Sequence, residues 1–212
     1  MALIIFDYDG VLMNSRPSWA HAFKKTSEKY GFDYTYDEIV GHFGPKTEKV
    51  LEELIDGDEK RVKEAKRFID ALLETEDVLS RSEATLEANS VIKTLKEKGH
   101  ALVILTNGDR AFLEASLEYH NFDKSAFKEL IPAEREKDTK PDAIKDLMER
   151  YNFSPDETYY VGDRGHDVTV AKNAGCKGII LVEHGWDSEE NVKGQNPDEI
   201  IYSLNELPDI ID

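Results

Sequence analysis

Four polar groups each follow a candidate strand, three of them directly at the end of an apolar run. Asp7-Tyr8-Asp9-Gly10 follows Ala2-Leu3-Ile4-Ile5-Phe6. Two acids spaced by one residue can serve one site just past a strand end, one attacking while the other moves a proton, and the glycine permits a sharp turn. Thr106-Asn107-Gly108-Asp109 follows Ala101–Leu105. Its hydroxyl and loop N–H groups could hold an anion, or serve as a helix cap and turn. Lys140 precedes Pro141, which disfavours helix at Lys140 and suits a first helical position. That puts Lys140 in a strand-to-helix loop, as a point charge for phosphate or as one more solvated lysine. Gly162-Asp163-Arg164-Gly165-His166-Asp167 follows Thr158–Val161. Two carboxylates four positions apart make a metal-holding loop, or caps at a helix N-terminus.

A parallel sheet would bring all four clusters to one edge. Asp7, Asp9 and Asp163 cannot crowd together ionised without compensation, since like charges 4 Å apart repel by about 4 kcal/mol at an effective dielectric of 20. A divalent cation reverses that penalty. With oxygen ligands and no soft ones, Mg²⁺ is the natural choice. Metal, carboxylate nucleophile, acid/base, hydroxyl and lysine together make a phosphoryl-transfer site.

The elements that must position these groups are legible in the pattern. Strands are expected at Ala101–Leu105, Thr158–Val161 and Gly178–Val182, near Lys128–Pro132 and at Asp198–Tyr202, with a short helix after the last. Helical spacing covers Ala84–Lys98 (Leu86, Ile92, Leu95), Ala111–His120 and Pro141–Tyr151. Strands alternating with helices predict an α/β fold, a Rossmann-like parallel sheet flanked by helices. Residues 15–81 interrupt the alternation. Trp19, Ala22, Phe23 and Tyr30 mark one helical face; Val62, Ala65, Phe68, Ile69, Leu72 and Leu73 mark another. Gly41-His42-Phe43-Gly44-Pro45 is expected to turn into a helix starting at Pro45. This predicts an all-helical cap of residues 15–81 inserted into a core of 1–14 and 82–212. The insertion either enlarges the core or closes as a lid over the sheet edge.

The chain has 212 residues, enough for a sizeable core without staples. Its formal net charge of −17 argues against nucleic acid and anionic membranes as partners. No apolar stretch is long enough to span a membrane. The one cysteine, Cys176, excludes an intramolecular disulfide and a thiolate-rich zinc site, and a cytoplasmic location is expected. A small phosphorylated molecule is the expected partner, with the chain a monomer or homodimer.

These residues resemble the haloacid dehalogenase superfamily in its helical-cap phosphatase branch, which includes phosphoglycolate phosphatases and β-phosphoglucomutase-like enzymes. Asp7-Tyr8-Asp9-Gly10-Val11-Leu12 is similar to its first motif, Thr106 to its second, Lys140 to its third, and Gly162-Asp163 through Asp167 to its fourth. The resemblance implies that Asp7 attacks phosphorus to form an aspartyl-phosphate. Asp9 would protonate the leaving oxygen and then activate water. Thr106, Lys140 and the N–H groups of Asn107 and Gly108 would bind phosphoryl oxygens. Asp7, the Asp9 backbone carbonyl and Asp163 would hold Mg²⁺, with Asp167 orienting a metal-bound water or Lys140. Val11 stands where the family often has threonine, and Asn14 where aspartate is common. Arg164 and His166 add polar chemistry that faces either substrate or solvent.

The expected activity is hydrolysis of a small phosphorylated metabolite, of phosphoglycolate or sugar phosphate type. A phosphomutase could use the same intermediate, with cap residues deciding its fate. Gly41–Lys46, Trp19 and His21 are candidate contacts, and Lys46 a candidate for a second anionic group or an exposed lysine. A receiver-like phosphate- or metal-binding domain is the non-enzymatic alternative. Asp9 argues against it, because a lasting acyl-phosphate gains nothing from an adjacent base.

Overall fold

The computed structural model describes residues 1–134, 139–182 and 186–211. In chain order its strands are β1 (Leu3–Phe6), β2 (Met13–Asn14), β3 (Glu83–Ala84), β4 (Ala101–Leu105), β5 (Phe127–Ile131), β6 (Thr158–Gly162), β7 (Lys177–Leu181) and β8 (Glu199–Ile201). Its α-helices are α1 (Arg16–Lys29), α2 (Tyr36–Val40), α3 (Thr47–Ile55), α4 (Glu59–Leu73), α5 (Glu76–Leu79), α6 (Ala88–Glu97), α7 (Arg110–Tyr119), α8 (Lys140–Tyr151), α9 (Gly165–Ala174), α10 (Glu189–Gly194) and α11 (Leu207–Ile210).

Six strands form a parallel sheet in the order β5-β4-β1-β6-β7-β8. The sheet is α/β, as the alternation predicts. β1 lies between β4 and β6, where the winding direction reverses, and open α/β sheets bind ligands at such a point. Register sets the site: Phe6 is level with Ile104 on one side and Val161 on the other. The residues that follow, Asp7, Leu105–Thr106 and Gly162–Asp163, therefore leave the sheet together.

Alternation along β1 sorts its fully buried side chains. Leu3 and Ile5 pack with Ala143, Ile144 and Leu147 of α8 and Val170 and Ala171 of α9. Ile4 and Phe6 belong to the larger cluster that also holds residues of α6, α7 and α1–α5. By this parity Asp7 continues the α8 side and Tyr8 the α7 side.

Helices α1–α5 lie between β2 and β3, which pair antiparallel as a two-stranded ribbon, Met13 opposite Ala84 and Asn14 opposite Glu83. The chain thus leaves and rejoins the sheet side by side. No helix among the described residues is long and apolar enough to cross a membrane.

Several boundaries differ from expectation. The helix after the Gly41–Pro45 turn starts at Thr47, because Lys46 is extended (ψ 152°) and acts as its cap. The helix expected from Ala84 starts at Ala88. The returning chain is first stitched to the outgoing one by Thr85, whose N–H donates to Leu12 O at 3.0 Å and whose hydroxyl donates to Val11 O at 2.6 Å. Leu86 consequently sits in the connection, 68% exposed, rather than on a buried helical face. Lys140 is the first residue of α8 instead of a loop residue. Thr139 is extended and caps the helix, and Pro141 falls at the second position, where its missing N–H leaves no bond unmade. Val182 lies past the end of β7, and β8 spans Glu199–Ile201.

Candidate active site

Asp7 sits at the end of β1, its N–H bound to Val161 O at 2.8 Å. Tyr8 N–H donates to Asp7 Oδ1 at 2.8 Å, and Lys140 Nζ donates to Asp7 Oδ2 at 2.5 Å. Lys140 reaches it from the first turn of α8, which the apolar face of that helix docks against β1. Burial pushes the Asp7 carboxyl up to about 6, with Lys140 pulling the other way. For Lys140 burial favours the neutral amine, but the charges of Asp7 and Asp167 outweigh it and raise the net value. The lysine is therefore cationic against a carboxylate.

Asp163 and Asp167 come from β6 and the start of α9. One carboxylate oxygen from each of Asp7, Asp163 and Asp167 lies within 4.8 Å of the others, and all three residues are buried. Asp167 is fixed on both oxygens: Oδ2 accepts from the N–H groups of Asp163 (3.3 Å) and Arg164 (3.1 Å), and Oδ1 accepts from the Tyr160 hydroxyl (3.0 Å). Asp163 Oδ2 is buried with no hydrogen-bond partner among the described residues. Burial raises the Asp163 carboxyl well above its ordinary value, and the charges of Asp167 and Asp7 add to this. Three clustered acids, an orphaned oxygen and a single lysine suit a hard divalent cation that prefers oxygen ligands. Gly10 makes room for the cluster: its φ of +82° is left-handed, and a Cβ there would stand 2.3 Å from Asp163 Oδ2.

The Asp9 carboxylate is not in this cluster. It turns toward the helical insertion, where Ser15 Oγ and Trp19 Nε1 (2.9 Å) donate to Oδ1 and Thr106 Oγ1 donates to Oδ2 at 3.2 Å. Burial raises its pKa, and these three donors oppose the rise. Thr106 leaves β4 beside Asp9, and its hydroxyl also accepts the Gly108 N–H at 2.9 Å. That N–H, expected to face an anion, is thus engaged within its own loop. The side chain of Asn107 reaches the insertion, its Nδ2 donating to Gly44 O at 3.3 Å.

These groups line a cavity of about 680 Å³ between the sheet edge and the helical insertion. Asp7, Asp9, Thr106, Asn107, Gly108, Lys140, Asp163 and Asp167 all face it, as do Arg164 and His166. From the insertion come Trp19, Phe23, Phe43, Gly44, Pro45, Thr47 and Val50. Lys46 is not among the lining residues; it caps α3 beside them. His21 is likewise elsewhere, paired with Asp77 at 2.8 Å.

Sequence reading missed Tyr160. Its hydroxyl accepts from Lys140 Nζ at 2.8 Å and donates to Asp167, so it joins the lysine to the acidic cluster. Burial, with the charges of Asp167 and Asp7, keeps the phenol protonated. The signal was parity: Tyr160 lies opposite Ile5, two residues before Asp7, and so shares its face.

Residues 4–181 match the haloacid dehalogenase-like hydrolase family. A phosphoglycolate phosphatase from Vibrio vulnificus (strain YJ016) is 30% identical, the alignment covering 99% of this chain and 95% of that protein. The pyrophosphatase PpaX of Anoxybacillus flavithermus is 28% identical, over 98% and 95%. Among solved structures, a predicted phosphoglycolate phosphatase from Haemophilus somnus 129pt superposes with a TM-score of 0.88 at 21% identity, covering 100% of this chain and 98% of the other. Ordered motifs, fold and sequence likeness agree: the chain belongs to the haloacid dehalogenase-like hydrolases, among their phosphatases.

Proposed function

We propose that this chain is a Mg²⁺-dependent phosphatase acting in the cytoplasm on a small phosphorylated metabolite, of phosphoglycolate or sugar phosphate type, through an aspartyl-phosphate on Asp7. The observation that carries this reading is the buried Asp7 carboxylate held by Lys140 at 2.5 Å, with Asp163 and Asp167 beside it. The phosphoglycolate phosphatases at about 30% identity support the choice of substrate class.

Asp7 attacks phosphorus in line, and the bond to the leaving oxygen breaks as Asp9 gives that oxygen its proton. A raised Asp9 pKa favours the acid form needed for this step. Asp9, now a carboxylate, takes a proton from water as the water attacks phosphorus. The bond to Asp7 breaks and inorganic phosphate leaves. Lys140 and the Thr106 hydroxyl hold the phosphoryl oxygens throughout. Asp7, Asp163 and the Asp9 backbone carbonyl, with Asp167 in support, would hold Mg²⁺, which would supply positive charge for the transferring group. Residues 15–81 act as a cap that excludes water, over a core of 1–14 and 82–212.

Phosphate release from an aryl phosphate, with Mg²⁺ or with chelator, tests this. Activity should require the metal, vanish in Asp7→Asn, and fall roughly 100-fold or more in Asp9→Asn, in line with loss of a general acid. Turnover surviving Asp7→Asn would refute the nucleophile. Phosphate as the product, without an isomerised ester, separates hydrolysis from mutase chemistry.

A further inference from the structure

The reaction proposed above employs one end of the cavity and leaves Arg164 without a task. Its guanidinium is half-buried on the cavity wall, where Nη1 donates to Phe43 O at 3.3 Å. Among the described residues no carboxylate oxygen lies within 4.0 Å of it. Three other arginines of this acidic chain pair with acids, Arg150 with Glu129 and Asp146, Arg110 with Glu114 and Arg81 with Asp77, but none of them lines the cavity. Lys140, the other cation of the cavity, is taken up by Asp7.

One long bond to a carbonyl uses one of five guanidinium N–H groups and needs no charge. The planar fork of an arginine matches a carboxylate or phosphoryl group, each able to accept two parallel hydrogen bonds. The rest of the wall combines the rings of Trp19, Phe23, Phe43 and Trp186 with the polar groups of His166, Asn191 and Asp187, whose carboxylate is held by the Asn191 amide and the Gly165 N–H. Phosphate alone does not fill about 680 Å³, so the leaving group lies in this remaining space.

We propose that Arg164 is a specificity-determining residue that reads a second anionic group on the substrate, a carboxylate or a second phosphoryl group. This rests on the phosphatase reading and narrows it, from sugar phosphates to short phosphorylated acids or diphosphates.

The test compares kcat/KM for 2-phosphoglycolate, pyrophosphate and ethyl phosphate in wild type, Arg164→Met and Arg164→Lys. Wild type should favour one doubly anionic substrate over ethyl phosphate by roughly 10–100-fold, the range of a charge-assisted pair. Preference for phosphoglycolate identifies a carboxylate as the group read, and preference for pyrophosphate a phosphoryl group. Arg164→Met should erase most of that ratio; Arg164→Lys, with charge but no fork, should keep part of it. A wild-type ratio near one overturns the proposal, and that comparison stands even if a variant does not fold. A ratio preserved in Arg164→Met while all activities fall together also overturns it, because the arginine then only ties the insertion to the core. No release from any of the three, ethyl phosphate included, overturns the phosphatase reading and this inference with it.

Discussion

Tyr160 shows how much of a site rests on one atom. Its hydroxyl stands between Lys140 Nζ at 2.8 Å and Asp167 Oδ1 at 3.0 Å, on a fully buried side chain. Tyr160→Phe keeps the ring and its packing but leaves one donor on the lysine and one acceptor on the acid unmet. A hydrogen bond to a charged group contributes about 1.5–3 kcal/mol, so kcat should fall roughly 10–100-fold. KM should move little, because Lys140 keeps its charge and only its aim is lost. Steady-state kinetics on an aryl phosphate check this, and an unchanged kcat would show that Asp7 alone orients the lysine. At this scale Asp7, Asp9, Thr106 and Asp163 were legible because each follows closely on an apolar run, and Lys140 because Pro141 follows it. Tyr160 was not, because an aromatic residue inside a strand reads as core filling. Lys46 misled for the opposite reason: a cation in a candidate contact loop carries no sign of which way the backbone turns it.

At the scale of elements, the loop after β4 is tied to the insertion by a buried ionic contact. Asp109, 1% exposed, accepts from the Thr47 hydroxyl at the start of α3 and lies 3.1 Å from Lys66 Nζ of α4, which also binds Asp70. Burial pushes the Asp109 carboxyl up to about 6, although Thr47 and Lys66 oppose the rise. The unfolded chain releases this proton near 3.8, so between that pH and about 6 the folded form binds more protons. The contribution of Asp109 to stability is therefore full below 3.8 and lost as pH rises through 6. Asp109→Asn removes the titration. Its stability relative to wild type should improve by up to about 3 kcal/mol between pH 4 and 7, because each tenfold difference in proton affinity between folded and unfolded chain is worth about 1.36 kcal/mol. Urea unfolding of both proteins at the two pH values measures the difference; parallel curves would mean that Lys66 holds the carboxylate ionised throughout. The helices joined here were visible as 3.6-residue patterns, but their starts were not. Thr47 and Ala88 begin their helices late because Lys46 takes an extended backbone and Thr85 is cross-linked to Val11 and Leu12, partners distant in sequence.

For the whole molecule, alternation of strands and helices was enough to predict a parallel sheet, but not that β1 lies between β4 and β6. That placement gathers Asp7 and Asp163, residues that repel one another within a chain of net charge −17. Folding the metal-free protein therefore places Asp163 where its ionised form is disfavoured. Asp163→Asn should stabilise chelator-treated protein at neutral pH, since it removes a buried carboxylate that has no donor on Oδ2. The order should reverse with Mg²⁺. At a hundredfold excess over its dissociation constant, a ligand bound only by the folded state adds about 2.7 kcal/mol. For a chain of this size that raises the midpoint by roughly 5–10 °C. Sodium chloride at matched ionic strength is the control, because any salt screens a surface this acidic. Wild type should gain that increment above the control and Asp163→Asn should not, so that the two melting curves exchange order on adding magnesium. Equal gains in both proteins would mean that the ion binds elsewhere on the acidic surface, and that Asp163 is not a ligand.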